Sequence, residues 1–344
     1  MVNISTFRYY ILRRLILSFV VLFGITIITF TLTRIIPTDP AALWVGPHAR
    51  KEQVELARET LGLNKPLYIQ YFIYMNDLLH GNLGISIRTH RPVIEDMLTF
   101  LPASLELIIS GMMLGIIFGI PLGVFSALKK DSRIDHFNRI ASIGFASMPS
   151  FWLGMILQLI FFKHLGILPA GGRLSPNVAI FSPINRITGF YTIDCLLSGN
   201  WTALFDVLSH MLLPALTLAA YPMALATRMI RATMIETLEE DYIRTARAFG
   251  IPDRIINYFY ALKNAIPPFI TILALSFAYS LTETFLIEYV FDWPGLGRYA
   301  SLAIISVDYP AIMGITLFIA FIYLFLNLIV DMIIAYLDPR IRLR

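Results

Sequence analysis

Residues Ala103–Leu128 read ASLELIISGMMLGIIFGIPLGVFSAL, an unbroken apolar run whose one charged side chain is Glu106. At about 1.5 Å of rise per residue, a helix of this length crosses the roughly 30 Å hydrocarbon layer of a bilayer. Five more stretches share the pattern: Leu15–Thr33, Ile140–Phe162, Val207–Thr227, Phe269–Ile287 and Ala311–Tyr336. Lipid offers no partner to a free backbone N–H or C=O, so each stretch is expected to be helical. The expected fold class is all-α: a polytopic membrane protein with six transmembrane helices. Composition agrees, with 57% hydrophobic and 15% charged residues, where soluble domains carry about 25% charged.

Within the quoted run, Gly111, Gly115, Gly119 and Gly123 recur at four-residue steps. Each weakens a helix by about 1 kcal/mol relative to alanine, so the stripe calls for a reason. A bare helix face admits close approach of a second helix of the same chain; the other reading is a face that lines a path or meets a second subunit. Acids at membrane depth are functional candidates by default, which singles out Glu106 and Glu283 for a translocation path. A place at the membrane interface competes for Glu106, and a buried hydrogen bond for Glu283. Depth alone places Asp331 to pair with Arg228 or Arg231.

Lysine and arginine set the orientation. With the N-terminus inside, most of the 27 basic residues fall on cytoplasmic pieces, among them Arg13, Arg14, Lys129, Lys130, Arg244, Arg247, Arg254 and Arg342. Both termini are then cytoplasmic, as six spans require. The net charge of +4 is absorbed by this asymmetry, and no nucleic-acid partner is read from it. Arg13-Arg14 precedes a full-length span with no small-residue cleavage site after it, which reads as an uncleaved anchor. Three regions result: 1–34, the N-terminal segment and first span; 35–102, an extracytoplasmic cap between spans 1 and 2; and 103–344, a five-span core. In the cap, Glu52–Leu61 and Pro66–Leu79 are expected to be helical. The cap is either a packed lid or a docking element for a substrate-delivering partner.

Chemistry is absent. The six histidines form no metal pattern, there is no G-x-x-x-x-G-K-[ST] phosphate loop, and no G-x-S-x-G turn occurs. The single cysteine, Cys195, falls in an expected outer loop and excludes an intrachain disulfide. No catalytic residue, metal site or cofactor is expected in this chain. It reads as a conduit.

The core contains one long cytoplasmic loop, 228–267. It begins RMIRATMIETLEEDYIRTARAFG, breaks at Gly250-Ile251-Pro252-Asp253, and resumes as RIINYFYALKNAIPP. Gly250 can adopt the left-handed conformation that ends a helix, and Pro252 can open the next. Ile255, Phe259 and Leu262 then fall at i, i+4 and i+7, one apolar stripe on a polar helix. Pro267-Pro268 is expected to stop that helix before the next span. Such a stripe needs another protein to bury it.

Along nearly its whole length the chain resembles the permease subunits of dipeptide/oligopeptide-type ATP-binding-cassette importers. The resemblance is carried by Arg34-Ile35-Ile36-Pro37, LLHGNLGISIRTHRPV, Leu101–Leu107, Leu168–Gly172, His210–Ala219, Phe291–Arg298, Val307–Pro310 and Asp338–Arg342. The loop Asp241–Gly250 is similar to that branch's coupling loop, with Ala246 and Gly250 on its alanine and glycine and Phe249 where a lysine is usual. The resemblance implies contacts with an ATPase through Tyr242, Ala246, Gly250, Asp253, Ile255, Phe259 and Leu262. It also implies the partners: a second homologous permease, two cytoplasmic ATPases that carry ATP and magnesium, and an extracytoplasmic substrate-binding protein. The setting would be the lipid of a prokaryotic inner membrane. Di- or oligopeptides are the cargo this suggests; oligosaccharides or metal complexes are the alternative. An ion-gradient-driven secondary transporter is the rival of another class.

Overall fold

The computed structural model describes residues 4–35, 39–46 and 48–337. In chain order the helices are α1 (Ile4–Ile35), α2 (Pro40–Val45), α3 (Lys51–Thr60), α4 (Leu67–Leu79), α5 (Val93–Leu128), α6 (Arg133–Ser147) and α7 (Ser150–Leu157). The last of these runs on as a π-helical segment, Gln158–His164. There follow α8 (Pro176–Phe181), α9 (Tyr191–Ser198), α10 (Trp201–Leu238), α11 (Asp241–Ala248) and α12 (Asp253–Ile255). A second π segment, Ile256–Ala261, joins α12 to α13 (Leu262–Val290), before α14 (Leu296–Ile305) and α15 (Tyr309–Leu337). Among the described residues the one extended pairing is an isolated bridge between Ile85 and Pro92. The fold is all-α, as expected.

Among the described residues, four helices are long and apolar enough to cross a membrane: α1, α5, α10 and α15. The bent pair formed by α6 and Ser150–His164 makes up to five. The expected span Ile140–Phe162 is thus not one straight helix, because the two pieces meet at 107°. Met148 precedes a proline, which disfavours the helical region for it, and it sits extended at φ −82° and ψ 129°. The expected span Phe269–Ile287 lies inside α13. The helix stop at Pro267-Pro268 does not occur: both prolines are interior to α13. The carbonyls they leave without an N–H belong to Lys263 and Asn264, both exposed, where water can serve them.

The chain divides into two compact units, Met1–Leu101 with Tyr299–Arg344, and Pro102–Arg298. The cap therefore groups with the first and last long helices, whereas the sequence-based division kept 299–344 with the core. In this unit α1 packs on α15. Asp39 caps α2 through the Ala41 N–H and binds Arg58 of α3 at 2.5 Å. Asp308, fully buried, accepts from the Ala311 N–H at the start of α15, and from the Ser86 hydroxyl and the Arg88 N–H. The motifs around Gly84 and Val307–Pro310 are thus one piece of architecture.

In the second unit α5 and α10 approach as the glycines allow. A Cβ on Gly111 would lie 2.7 Å from Leu218 Cβ, and one on Gly115 3.0 Å from Pro222 Cγ. On Gly119 it would lie 2.6 Å from Ala226 Cβ and 2.8 Å from the Met223 carbonyl oxygen. On Gly123 it would lie 2.8 Å from Ile230 Cβ. The Thr227 hydroxyl donates across the seam to the Gly119 carbonyl at 3.3 Å. The stripe is an intramolecular packing face over four turns.

Candidate functional site

The loop between α10 and α13 folds back on its own unit. Ile230 and Met234 of α10, Ile243 and Ala246 of α11, Ile256 and Ala261 of the π segment, and Ala265 and Phe269 of α13 form one buried cluster. Gly250 breaks the chain at φ +72°, with open space around it. Asp253 opens α12 and places its negative charge at the positive helix end. The Tyr242 hydroxyl accepts from Asn264 Nδ2 at 2.7 Å and ties α11 to α13. The loop is anchored on one face.

Its other face is uncovered and presents large apolar side chains among charged ones. Phe249 is 81% exposed and Phe259 65%, with Ile255 and Tyr258 also exposed beside them. The expected stripe is met in Ile255 and Phe259 but not in Leu262, which packs against the buried cluster. The π segment explains the difference. Its i→i+5 bonding puts extra residues into each turn and rotates the succeeding side chains away from a 3.6-residue register. Ala246 likewise points inward. Phe249 and Tyr258 were missed by periodicity; an aromatic beside the helix-ending glycine was the available signal.

Arg231, at the α10 end of the same loop, donates to both oxygens of Asp135 on α6 at 2.6 Å. The expected partner, Asp331, has a side chain outside the described residues, as do the motifs at Ile36-Pro37 and Asp338–Arg342.

At the opposite end of the second unit the remaining motifs converge. Glu106 pairs with Arg173 and accepts the Thr192 N–H at 2.7 Å and its hydroxyl at 2.6 Å. Arg173 donates to the Gly189 carbonyl at 2.8 Å and lies 3.6 Å over the Tyr191 ring. Both ions are buried and held by these partners, so Glu106 ties the segment Leu168–Ser198 to α5. Glu288, with no exposed surface, accepts the Ser104 hydroxyl at 2.5 Å and the Arg298 N–H at 3.0 Å, at the N-terminus of α14. Any side chain on Gly295 would overlap that carboxylate. Gly171 has Phe291 against it in the same way, and the Gly172 N–H donates to the Phe291 carbonyl at 2.8 Å. Gln158 clamps the end of α13 by donating to the Ala170 and Val290 carbonyls at 2.6 and 3.2 Å. Glu288 and Arg173 are the structural centre that sequence reading did not single out.

Glu283 differs from these acids. It is half-buried on α13 beside Tyr279, whose ring lies 5.2 Å from that of Tyr221 on α10. Glu106 and Glu283 are not brought together by the fold: one is locked into an ion pair, the other faces a polar aromatic patch.

Cys195 is only 1% exposed, under Ala203, Leu204 and Val207 in a small apolar cluster. Burial, then the Asp194 and Glu106 carboxylates, push its thiol up. We expect maleimide to leave Cys195 unmodified in the native protein and to react after denaturation. Phe181, 85% exposed in the same segment, which the sequence places outside, is the better reporter. Phe181→Cys in a Cys195→Ala background is expected to label from outside with an impermeant maleimide. Labelling of that variant only from the cytoplasmic side would reverse the orientation.

Two family models cover most of the chain. The binding-protein-dependent transport system inner membrane component matches residues 119–343. The N-terminal model of the membrane components of the same transport systems matches residues 7–108. A probable D,D-dipeptide transport system permease protein of Escherichia coli (strain K12) is 46% identical over 92% of this chain and 93% of its own. A dipeptide transport system permease protein of Alkalihalophilus pseudofirmus is 40% identical over 97% of this chain and 99% of its own. An oligopeptide transport system permease protein of Bacillus subtilis is 34% identical over 96% and 98%.

Proposed function

The chain belongs to the family of binding-protein-dependent transport system inner membrane components, and on that premise we propose that it forms half of the translocation path of an ATP-driven importer of dipeptides or short oligopeptides. It is a multi-pass permease subunit of a bacterial inner membrane, without catalytic activity of its own. In this reading α1, α5, the bent pair, α10, α13 and α15 make six crossings with both termini in the cytoplasm. A second homologous permease completes the path, two ATPases bind ATP and magnesium, and an extracytoplasmic binding protein delivers cargo.

One observation carries the reading. Phe249, Ile255, Tyr258 and Phe259 are exposed large apolar side chains on a loop whose other face is fixed in the chain's own core. A surface of this kind takes a groove on a cytoplasmic partner. From Asp253 to Val290 the helix continues without a break through its π segment. A push on Phe259 is therefore transmitted along one rigid element to Glu283 and the aromatic patch beside it, where the path is proposed to run. Rigid-body tilting of such elements is an established means of alternating access.

Proteoliposomes holding the complete assembly test this. Labelled dipeptide is expected to accumulate only with ATP on the ATPase side and binding protein on the other, and to be unaffected by proton and sodium ionophores. Uptake that persists without ATP and collapses with the ion gradient would assign the chain to secondary transport instead.

A further inference from the structure

The first unit carries a half-open cavity of about 720 Å³ between the ends of α1 and α15 and the cap helices α2–α4. That volume is within the roughly 300–1,000 Å³ range of small-molecule sites. Its walls are mainly apolar and include Phe30, Trp44 and Met313. Arg34 Nε, Gln70 Oε1 and the Tyr74 hydroxyl belong to residues that line it, and none of these three buried atoms meets a hydrogen-bond partner. Native interiors pair such groups almost without exception. Three unpaired atoms around one volume point to a ligand that pairs them.

The chemistry of the three atoms limits that ligand. The Gln70 amide is held in one orientation, because its Nε2 donates to the Leu63 and Lys65 carbonyls at 3.1 and 2.7 Å. Its Oε1 therefore requires a hydrogen-bond donor from the ligand, a role that a peptide N–H fills. Arg34 stacks on the Phe30 ring at 5.2 Å and directs an unused Nε–H, which requires an acceptor, best an anionic one. Asp77 also lines the cavity and suits a cationic amine.

We propose that this cavity binds a short zwitterionic peptide with apolar side chains, its carboxylate at Arg34, an amide N–H at Gln70 and its amine toward Asp77. The choice of a peptide among amide-bearing zwitterions rests on the importer reading above. The site is built wholly from residues of the first unit and shares none with the Glu283 patch.

The experiment uses the assembled importer in nanodiscs without its binding protein. Trp44 lines the cavity, so its fluorescence reports filling. Leucyl-leucine is titrated alongside N-acetyl-leucine amide, which has no charged ends, and a brominated phosphatidylglycerol. We expect a saturable change with leucyl-leucine that disappears in Trp44→Phe and weakens about tenfold or more in Arg34→Met. Tyr74→Phe, which removes one oxygen and keeps the ring, is expected to weaken binding severalfold and serves if Arg34→Met does not assemble. A response to the brominated lipid alone would give the cavity to an acyl chain and overturn the proposal. No response to any of the three would also overturn it. Dipeptide uptake is measured on the same preparation with binding protein added. Uptake without a Trp44 response refutes the cavity site and leaves the importer standing, whereas loss of both refutes the importer.

Discussion

Gly119→Val is expected to abolish or severely reduce assembly of the membrane complex. The new Cβ would lie 2.8 Å from the Met223 carbonyl oxygen and 2.6 Å from Ala226 Cβ. The first of these is backbone, so no rotamer change relieves the contact and α5 must move off α10. Overpacking of this kind costs about 1–3 kcal/mol in well-packed cores, and here it is joined by loss of the Thr227 hydrogen bond to the Gly119 carbonyl. Gly144 is the control, since nothing lies within 4 Å of its Cβ position. Gly144→Ala should leave yield unchanged and thermal stability equal to the parent's or slightly higher, because it gains helix propensity at no steric cost. Thermal unfolding of the purified assemblies followed by size exclusion reads both variants. A Gly119→Val complex as stable as the parent would mean that the seam between α5 and α10 is not close-packed.

That seam was legible in the sequence because its cause is local: four glycines one helical turn apart expose one face whatever the helix meets. What the face meets was not legible, and both readings stood until Leu218, Pro222, Ala226 and Ile230 were seen against it. The Gly250 break was legible for the same reason, as a left-handed position that only glycine adopts freely. The bend at Met148-Pro149 was hidden by its surroundings, an apolar run long enough to be read as one span. The prolines at 267 and 268 misled in the other direction. Propensity argued for a stop, but burial of Ala265 and Phe269 in the loop's core outweighs two lost hydrogen bonds at the exposed residues Lys263 and Asn264.

The candidate site was legible only in part. The stripe Ile255–Phe259–Leu262 assumed a 3.6-residue period, and a π segment, invisible to periodicity, turned Leu262 inward. Ala246 matches a family motif yet serves packing. The Glu106–Arg173 pair joins residues far apart in sequence, and no local pattern announces such a partner. Glu288 gave even less signal, because the groups that satisfy it are a serine hydroxyl and backbone N–H groups of the FDWPGLGR segment.

Phe259→Ala is expected to uncouple ATP turnover from transport. Phe259 is 65% exposed, with the Lys263 ammonium 5.7 Å from its ring and the Tyr260 ring edge-on beside it. Truncation therefore leaves the buried cluster of the loop untouched and removes little that the isolated chain needs. Removal of a central aromatic anchor at an interface often costs about 2 kcal/mol or more, which corresponds to roughly thirtyfold weaker association. Phe249→Ala is expected to act in the same direction. Gly250→Val should do so by a different route, because a β-branched residue resists the φ of +72° that shapes the break.

The central claim is that the exposed aromatic face of this loop carries the ATPase. It is tested most directly by measuring the affinity of the purified ATPase for nanodisc-embedded permease, parent against Phe259→Ala and Phe249→Ala. The account predicts affinity lower by an order of magnitude or more in each variant, with insertion and thermal stability of the permease unchanged. Parental affinity in both variants, with ATP-driven uptake intact, would contradict it.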